Sequence, residues 1–441
     1  MGWRHVAAGI LCLFLGLPGA SAEVIRDGPM TTAAFWQERN PAGDRVLLAP
    51  DAVADLNRRI EGAGVGLVDL AVLPPFFDGA EVRRGMENFW MLRGTLWTEG
   101  RRASDSDKER LKALTDAASV PLVIRGEHGV TVRHTDVRNM PTDKGWFTSP
   151  GDRYYDRIQD STLDAGEPVL ILHRSADGNY LYVQLYQLRG WIRAADIARC
   201  GRQQWLEYAR PERFVTVTGR DWRLDTGQEE LFFLQGSRLP LKSPPGNGPD
   251  RRSGEGWKVL VPRRDGKGRL HTRTVEVPAT APLKEGPQPY TSNQLLENAF
   301  RFLGNEYGWG NSLHSVDCSG LVDAVYRGPG IRLPRNTAAI RKAPGTFRDL
   351  RSLDRKEKLR VIGQLPPGSL LNLDGHVMLY LGSVNGVPYV LHSASSYYEN
   401  GRKVYIRRVV VSDLELGRAA GGTFLDTLLS CQTFDSVPEN R

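Results

Sequence analysis

The chain has 441 residues, of which 40% are hydrophobic and 25% are charged. This composition is typical of soluble globular proteins and excludes a largely disordered chain, and the length predicts several domains of roughly 100–200 residues. The net charge of +7 is spread along the chain rather than gathered in a basic stripe. Dispersed positive charge favours anionic partners in general and argues against a nucleic acid as the partner.

The first 22 residues have the pattern of a secretory signal. A basic start precedes an apolar run from Val6 to Leu17, and Ala20-Ser21-Ala22 supplies the small-x-small pattern of a cleavage site. The apolar run is shorter than the about 20 residues that span a bilayer, and no later segment approaches that length. We therefore predict a signal peptide at residues 1–22, no membrane span, and export to the periplasm or cell envelope.

Removal of that signal would leave three cysteines, Cys200, Cys318 and Cys431. In an oxidising compartment an odd number leaves at least one free thiol, which suggests a functional role for it. We expect Cys318 to be free. Cys200 and Cys431 either pair or stay apart, because their separation in sequence does not tell whether they meet disulfide geometry.

Residues 23–118 are predicted to form a helical domain with a structural or docking role. Asp51 is expected to cap one helix, which Gly62 ends. A second helix is expected to follow Ser104, with Asp107 in capping-box position.

Two units rich in β-structure follow, and each is predicted to be a small barrel. The first covers residues 119–202 and includes a hairpin at Asp177-Gly178. The second covers residues 203–280, and residues 279–290 are predicted to be a linker because they are rich in proline.

Residues 285–441 begin with helical patterns and continue with strands, which predicts an α+β domain. Cys318 stands at the start of a helical pattern that runs through Tyr326. Two β-like runs, Leu370–Leu381 and Val387–His392, are joined by the hairpin signal Asn385-Gly386.

This arrangement suggests a thiol nucleophile with two histidines. A cysteine at a helix N-terminus has a lowered pKa because of unpaired backbone N–H groups and the helix dipole, and its own N–H can help form an oxyanion hole. The hairpin brings His376 and His392 side by side, so that one can act as the base for Cys318 and the other can orient it. Spacing alone leaves a buried structural cysteine and two structural histidines as the alternative.

Five separated pieces of the sequence follow one another in the last domain: Tyr307-Gly308-Trp309-Gly310, Asp317-Cys318-Ser319-Gly320-Leu321, Leu333-Pro334-Arg335, Pro367-Gly368 and Gly375-His376-Val377. In this order they closely resemble the NlpC/p60 family of cell-wall peptidases. The resemblance implies a papain-like fold with Cys318 as nucleophile, His376 as base and His392 as the orienting residue. It also implies that the two β-rich units are bacterial SH3-type modules and that residues 23–118 are the helical stabilising domain found in some members.

Members with this layout cut the bond between γ-D-glutamate and the diamino acid of the stem peptide, often one with a free N-terminal L-alanine. The resemblance implies that Asp317 binds that free amine and that Ser319, Trp309 and Thr337 line the pocket. Asp136 and Tyr155 in the first module are also candidates, to which we assign no role.

The chain departs from the family pattern at Ser369, where members commonly have Asp, and at Asn311, where a second glycine is usual. His314 precedes Cys318 by four residues but matches nothing in the family, and we interpret it as structural.

The sequence therefore predicts an exported γ-D-glutamyl-diamino acid endopeptidase that acts on peptidoglycan stem peptides or muropeptides. The alternatives are a non-catalytic protein that binds the cell wall, and an amidase or acyl transferase of the same superfamily. No cofactor and no metal are predicted, because the histidines lack the spacing of metal ligands. The sequence makes no prediction of the oligomeric state.

Overall fold

The computed structural model describes residues 22–242 and 256–435. The predicted signal peptide lies outside these residues, apart from Ala22. Among the helices of the described ranges, none is long and apolar enough to cross a membrane; the longest has 13 residues, whereas a span takes about 20.

Residues 22–118 combine helices with very short strands. In chain order these are β1 (Val24–Ile25), α1 (Ala33–Gln37), α2 (Pro50–Gly62), β2 (Phe76–Asp78), α3 (Gly79–Met86), β3 (Trp97–Thr98), β4 (Arg101–Arg102) and α4 (Asp105–Ala113). The predicted capping box of α4 is confirmed, since Ser104 and Asp107 each bond the other's backbone N–H. The predicted cap of α2 is wrong: Pro50 begins the helix, because the fixed φ of proline suits the first helical position, and Asp51 lies in the first turn.

We call residues 119–202 the first β unit. Its first strand, β5 (Val123–Arg125), pairs with β2, and its other strands form one antiparallel sheet. Its strands are β6 (Glu127–Thr131), β7 (Thr135–Arg138), β8 (Gln159–Leu163), β9 (Pro168–Arg174), β10 (Tyr180–Gln184), β11 (Arg189–Arg193) and β12 (Ile197–Arg199), in the order β12-β6-β9-β10-β11-β7-β8. The predicted hairpin at Asp177-Gly178 joins β9 to β10. Alternate residues of β10 face two separate hydrophobic cores, so both faces of the sheet are covered.

Helix α5 (Arg202–Ala209) leads from the first β unit into residues 203–285, which we call the second β unit. The strands are β13 (Phe214–Val217), β14 (Asp221–Asp225), β15 (Glu230–Leu234), β16 (Arg238–Pro240), β17 (Trp257–Arg264), β18 (Leu270–Val277) and β19 (Leu283–Glu285). The predicted linker at 279–290 is therefore wrong in part, since β19 lies inside it and pairs with β13. Three residues between prolines carry no periodic signal, and the pairing with β13 supplies the hydrogen bonds that make them a strand.

The C-terminal region, residues 285–435, places helices against a seven-stranded antiparallel sheet. Its elements are α6 (Ser292–Phe300), α7 (Cys318–Arg327), α8 (Thr337–Ile340), β20 (Thr346–Asp349), α9 (Arg355–Ile362), β21 (Leu370–Leu373), β22 (His376–Val384), β23 (Val387–Glu399), β24 (Arg402–Ser412) and β25 (Ser430–Thr433). The strand order is β1-β24-β23-β22-β21-β25-β20. The predicted single run Leu370–Leu381 is two strands, because the chain turns at Asp374-Gly375, where Gly375 has a φ of 70°.

The N-terminal residues share their cores with later parts of the chain, and even the cluster of Met91, Leu96 and Leu111 includes Met140, Trp146 and Ile158 of the first β unit. Strand β1 extends the C-terminal sheet by pairing with β24, and Trp36 of α1 and Leu56 of α2 are buried in the same core as helix α7. Farther along, Val82 and Met86 of α3 join the core of the first β unit. The residues predicted as a separate helical domain are thus divided among neighbouring cores, and the domain boundaries drawn from the sequence stay predictions.

Candidate active site

Cys318 is the first residue of helix α7, and Asp317 is its N-cap. The Asp317 carboxylate accepts a hydrogen bond of 2.7 Å from the Gly320 N–H, which fixes the first turn. Cys318 is 8% exposed, and the backbone N–H groups of Val377 and Ser319 face its thiol and favour the charged form. Val377 directly follows His376, so the thiol lies beside the start of strand β22.

The Cys318 thiol is neutral in this structure. Burial, followed by repulsion from Asp317, raises the pKa of Cys318 to about 12, and the Val377 and Ser319 N–H groups oppose this increase without reversing it. The Ser319 N–H at the helix N-terminus does lower the pKa of Cys318, as expected, but burial outweighs it, so the expected net decrease is not found. The thiol is almost completely removed from water, and burial disfavours the charged form.

His376 and His392 are brought together by the β22–β23 hairpin. Val384 pairs with Val387 across the two-residue turn Asn385-Gly386, as predicted, and both turn residues have positive φ. Nε2 of His376 lies 2.8 Å from Nδ1 of His392.

The hydrogen bonds of Ser412 set the protonation of both rings. The Ser412 hydroxyl donates its proton to the Asp413 carbonyl at 2.8 Å, and it lies 3.1 Å from Nε2 of His392. Because the only proton of the hydroxyl is already used, His392 must donate from Nε2, and its Nδ1 is then an acceptor. His376 therefore donates from Nε2, which leaves its Nδ1 as the basic nitrogen.

Both imidazoles are held neutral by their surroundings. Burial, with a smaller contribution from Arg418, lowers the pKa of His376 to about 3. Burial and the neighbouring His376 lower the pKa of His392 well below its usual value. The ring of Phe424 packs against both histidines, with centroids at 5.8 and 5.9 Å; His392 is fully buried and His376 is half-buried. A neutral thiol and a neutral base are thus the resting state of the site.

Asp317 is the centre of a buried polar network. Arg335 donates to its two oxygens at 3.2 and 2.8 Å, and both residues are less than 10% exposed. The Gly310 N–H and the Ser319 hydroxyl also donate to it, each at 3.0 Å. The arginine lowers the pKa of Asp317 despite its burial. Arg335 reaches further, to the Ser161 hydroxyl of β8 at 3.0 Å, and so links the first β unit to the helix of Cys318.

An aromatic cluster forms one wall beside Cys318. Trp309 is 37% exposed, and Tyr155 of the first β unit lies 5.9 Å from both the Trp309 and the Tyr307 rings, measured between centroids. The Tyr155 hydroxyl donates to Ser395 of β23. The Gly310 carbonyl accepts a hydrogen bond of 3.2 Å from Gln159 of β8. The first β unit therefore helps to build this wall.

The predicted substrate-binding residues differ in their positions. Trp309 is open to solvent, whereas Ser319 is buried and donates to Asp317 while it accepts from Arg335 at 2.9 Å. Thr337 is half-buried at the start of α8, next to its capping residue Asn336. His314, interpreted as structural, stacks on Phe232 with ring centroids 4.4 Å apart.

Sequence reasoning missed Ser412 and gave no role to Arg335 or Tyr155. Arg335 is part of the Leu-Pro-Arg piece of the resemblance, which was a usable signal. Nothing in the sequence connects Ser412 to His392, because the bond depends on the register of β24 against β23.

The three cysteines in the described ranges, Cys200, Cys318 and Cys431, are all free thiols. Within the same residues, no group of three or more His, Cys, Asp or Glu side chains is arranged to hold a metal ion.

A buried cysteine at a helix N-terminus, next to a histidine pair on a hairpin, defines a cysteine-peptidase type of site. Comparison with known proteins gives the class directly: residues 304–409 match the model of the NlpC/P60 family, and residues 146–193 match an SH3 domain of the SH3b1 type. The chain is thus a multidomain protein that carries an NlpC/P60 domain at residues 304–409 and an SH3b domain at residues 146–193.

One solved structure shares this fold, and a second is reported beside it. An NlpC/P60 endopeptidase from Photobacterium damselae subsp. piscicida superposes with a TM-score of 0.73 over 90% of this chain and 96% of that one, at 16% sequence identity. An NlpC/P60 family protein from Bacillus cereus gives a TM-score of 0.44 at 17% identity, over 64% of this chain and 83% of that one. No curated protein sequence gives a significant match.

Proposed function

We propose that the protein is an exported cysteine endopeptidase that hydrolyses the γ-D-glutamyl-diamino acid bond of peptidoglycan stem peptides. The observation that carries the proposal is the hydrogen-bonded chain His376–His392–Ser412, half-buried at His376 and fully buried at the other two, on the strand whose Val377 N–H faces the thiol of Cys318. Export to the periplasm or cell envelope is supported by the N-terminal signal pattern, and wall peptides as substrate are supported by the family of the two matched domains.

The chemistry follows from the neutral resting pair. As the Cys318 sulfur attacks the scissile carbonyl carbon, its proton passes to Nδ1 of His376, and the Cys318 N–H donates to the oxyanion that forms. Collapse of the tetrahedral intermediate breaks the C–N bond, and His376 returns the proton to the leaving amine. Water then attacks the thioester with His376 again as base, which releases the D-glutamyl carboxylate and restores the thiol. His392 holds the His376 ring in the tautomer that these transfers need.

We also propose a preference for substrates with a free L-alanine amine. The hydrogen bonds that Asp317 already accepts, however, argue against Asp317 as the residue that binds this amine. Its carboxylate already accepts from Gly310, Ser319, Gly320 and twice from Arg335. A carboxylate has about four lone-pair sites, so an ammonium could bind only by displacing one of these donors.

We therefore assign the preference to the shape of the pocket, with Trp309 and Thr337 lining it and Tyr155 restricting it. Asp317 and Ser319 hold the Gly310 loop and the first turn of α7 in place. An acylated amine would meet the aromatic wall rather than open solvent.

The test uses L-alanyl-γ-D-glutamyl-diaminopimelate with its amine either free or acetylated, and mass spectrometry of the products. Release of diaminopimelate from the free-amine peptide alone supports both parts of the proposal. Equal cutting of both peptides keeps the endopeptidase and removes the amine preference. No cutting of either peptide, under conditions where the protein is folded, contradicts the proposed activity.

The variant Tyr155→Ala tests separately whether the aromatic wall excludes an acylated amine. If the wall excludes the acetyl group, this variant cuts the acetylated peptide and discriminates less between the two substrates. A variant that keeps full discrimination shows that Tyr155 does not restrict the pocket.

A further inference from the structure

Arg418 is a half-buried cation beside His376, the proposed base. It lies in the loop that connects β24 to β25, and its guanidinium donates a hydrogen bond of 3.0 Å to the carbonyl of Asp374, which precedes Gly375 and His376. Cζ of Arg418 lies 5.9 Å from the centroid of the Phe424 ring, and the centroid of the His376 ring lies 5.8 Å from the same point. The guanidinium and the imidazole therefore share one aromatic neighbour at the start of β22.

The charge of Arg418 is not used in a salt bridge. In the part of the chain that the structure describes, its partner is the Asp374 carbonyl rather than a carboxylate. Two acids of the same loop, Glu415 and Asp426, pair with Arg355 instead. Most of the N–H donors of the Arg418 guanidinium are therefore available to a ligand.

This charge also acts on the base. After burial, Arg418 is the second cause that lowers the pKa of His376. A negative group that binds between the two would meet the cation on one side and the base on the other.

The chemistry of the leaving group brings a carboxyl group to this place. In the proposed hydrolysis, His376 returns its proton to the nitrogen of the leaving diamino acid, so that nitrogen must come within hydrogen-bond reach of the ring. The α-carboxyl group is attached to the same carbon atom as this nitrogen, and His376 therefore sets its position closely. A carboxyl group in the side chain of the diamino acid is farther away along rotatable bonds, and its position is not set in this way.

We propose that Arg418 is a specificity-determining residue that binds the free α-carboxylate of the leaving diamino acid. The planar guanidinium donates to both oxygens of a carboxylate, and a neutral amide cannot replace that charged pair. The site then selects peptides that end at the diamino acid over peptides that continue beyond it. This inference rests on the proposed function and narrows its substrates to a class, the stem tripeptides.

The test compares two forms of L-alanyl-γ-D-glutamyl-diaminopimelate. In one form the carboxyl group beside the scissile nitrogen is free, and in the other it is a primary amide. We expect the unaltered protein to cut the free acid with a kcat/KM at least about tenfold higher, mainly through a lower KM, because the contact forms on binding. Arg418→Gln should cut both forms at similar rates. Both peptides react at the same His376, so their ratio cancels any effect of the substitution on the base.

Two further variants separate charge from position. Arg418→Lys should keep only part of the preference, because lysine retains the charge without the planar fork. Arg402→Gln is the control, since it removes the same charge from an exposed residue at the tip of the β23–β24 hairpin, opposite Glu399. It should keep the full preference.

Equal kcat/KM values for the two peptides with the unaltered protein, or an unchanged preference in Arg418→Gln, would overturn this inference and leave the proposed peptidase intact. No cutting of either peptide contradicts the proposed function, and the inference with it. If Arg418→Gln does not fold, Arg418→Lys decides instead: a reduced preference supports the role of Arg418, and an undiminished one contradicts it.

Discussion

At the scale of single residues, Ser412 determines what the histidine pair can do. It does not touch Cys318, yet its hydroxyl fixes the Nε2–H tautomer of His392 and, through it, the basic Nδ1 of His376. Serine in a strand is ordinarily structural, and this role follows only from the direction of the hydrogen bonds. Ser412 is therefore a positioning residue rather than a catalytic one.

Replacement of Ser412 by alanine should lower kcat more than it changes KM. The buried Nε2–H of His392 would lose its acceptor, which disfavours the tautomer that orients His376 by about 1–3 kcal/mol and so lowers the population of the productive form, and with it kcat, roughly 5- to 150-fold. Because His392 could then adopt the other tautomer, the dependence of kcat on pH should change as well. Steady-state kinetics between pH 5 and 9 would measure both effects.

Ser383→Ala is the matched control, since this serine lies on β22 and bonds Tyr380 rather than a histidine. It should leave kcat and the pH profile unchanged. An unaltered pH profile in Ser412→Ala would show that Ser412 is structural only.

Asp317 and Arg335 form a buried pair whose disruption should destabilise the fold. Arg335→Gln would leave the Asp317 carboxylate buried without its counter-charge, at a cost of about 3–5 kcal/mol. Urea denaturation followed by tryptophan fluorescence would measure the loss. Arg351→Gln, which breaks an exposed pair with Asp349, should leave the midpoint nearly unchanged. Equal effects of the two substitutions would contradict the importance assigned to the buried network.

At the scale of elements, the β22–β23 hairpin holds two neutral histidines, which makes its stability depend on pH. The pKa of His376 is about 3 in the fold, against ~6.5 for an unperturbed histidine, so the unfolded chain binds the proton more readily. The stability is therefore complete above pH ~6.5 and decreases as the pH falls toward 3. Urea midpoints at pH 7.5 and 5 should show this decrease.

His376→Gln should reduce that decrease, because the group that titrates is gone. His271→Gln is the control, since His271 is exposed on β18 and bonds only Asp265. If His376→Gln and the unaltered protein lose the same stability between the two pH values, His376 is not buried in its neutral form.

The elements that could be predicted from the sequence are those with a strong local signal. The turn at Asn385-Gly386, which brings His376 to His392, needs two residues with positive φ, and this dipeptide supplies them. Strand β19 could not be predicted, because three residues between prolines become a strand only by pairing with β13. The turn at Asp374-Gly375 was not predicted, because the apolar residues on both sides of it form a nearly continuous sequence pattern that is typical of a single strand.

At the scale of the whole molecule, the C-terminal core is completed by residues far away in sequence. Trp36 is 1% exposed against the ring of Tyr389, and Leu56 and Ile60 of α2 are fully buried in the core that contains α7. Burial of such a side chain contributes about 1.5–3 kcal/mol, so three of them supply an amount comparable to the whole stability of a domain.

A chain that begins at residue 285 should therefore fail to fold cooperatively, although it contains Cys318, His376 and His392. Circular dichroism during heating would show a broad transition, whereas a chain that begins at residue 22 should unfold sharply. A sharp transition in the shorter chain, at the same midpoint, would show that the C-terminal region folds independently of the N-terminal residues.

Contacts between distant regions are also what sequence reasoning could not supply. The bond from Tyr155 to Ser395 and the reach of Arg335 to Ser161 join the first β unit to the site. Neither bond has a local signal, because each depends on how separately folded sheets pack against each other. The candidate nucleophile and histidines could be inferred from motifs, whereas the wall around them required the structure.

The central claim is that Cys318 is the nucleophile of a wall-peptide endopeptidase, and one substitution tests it most directly. Stem peptides would be incubated with the protein beginning at residue 22, with Cys318→Ala and with Cys200→Ala, whose thiol lies in the first β unit. Mass spectrometry should show cleavage between γ-D-glutamate and the diamino acid by the first and third proteins and none by Cys318→Ala. Cleavage by a folded Cys318→Ala variant would contradict the account.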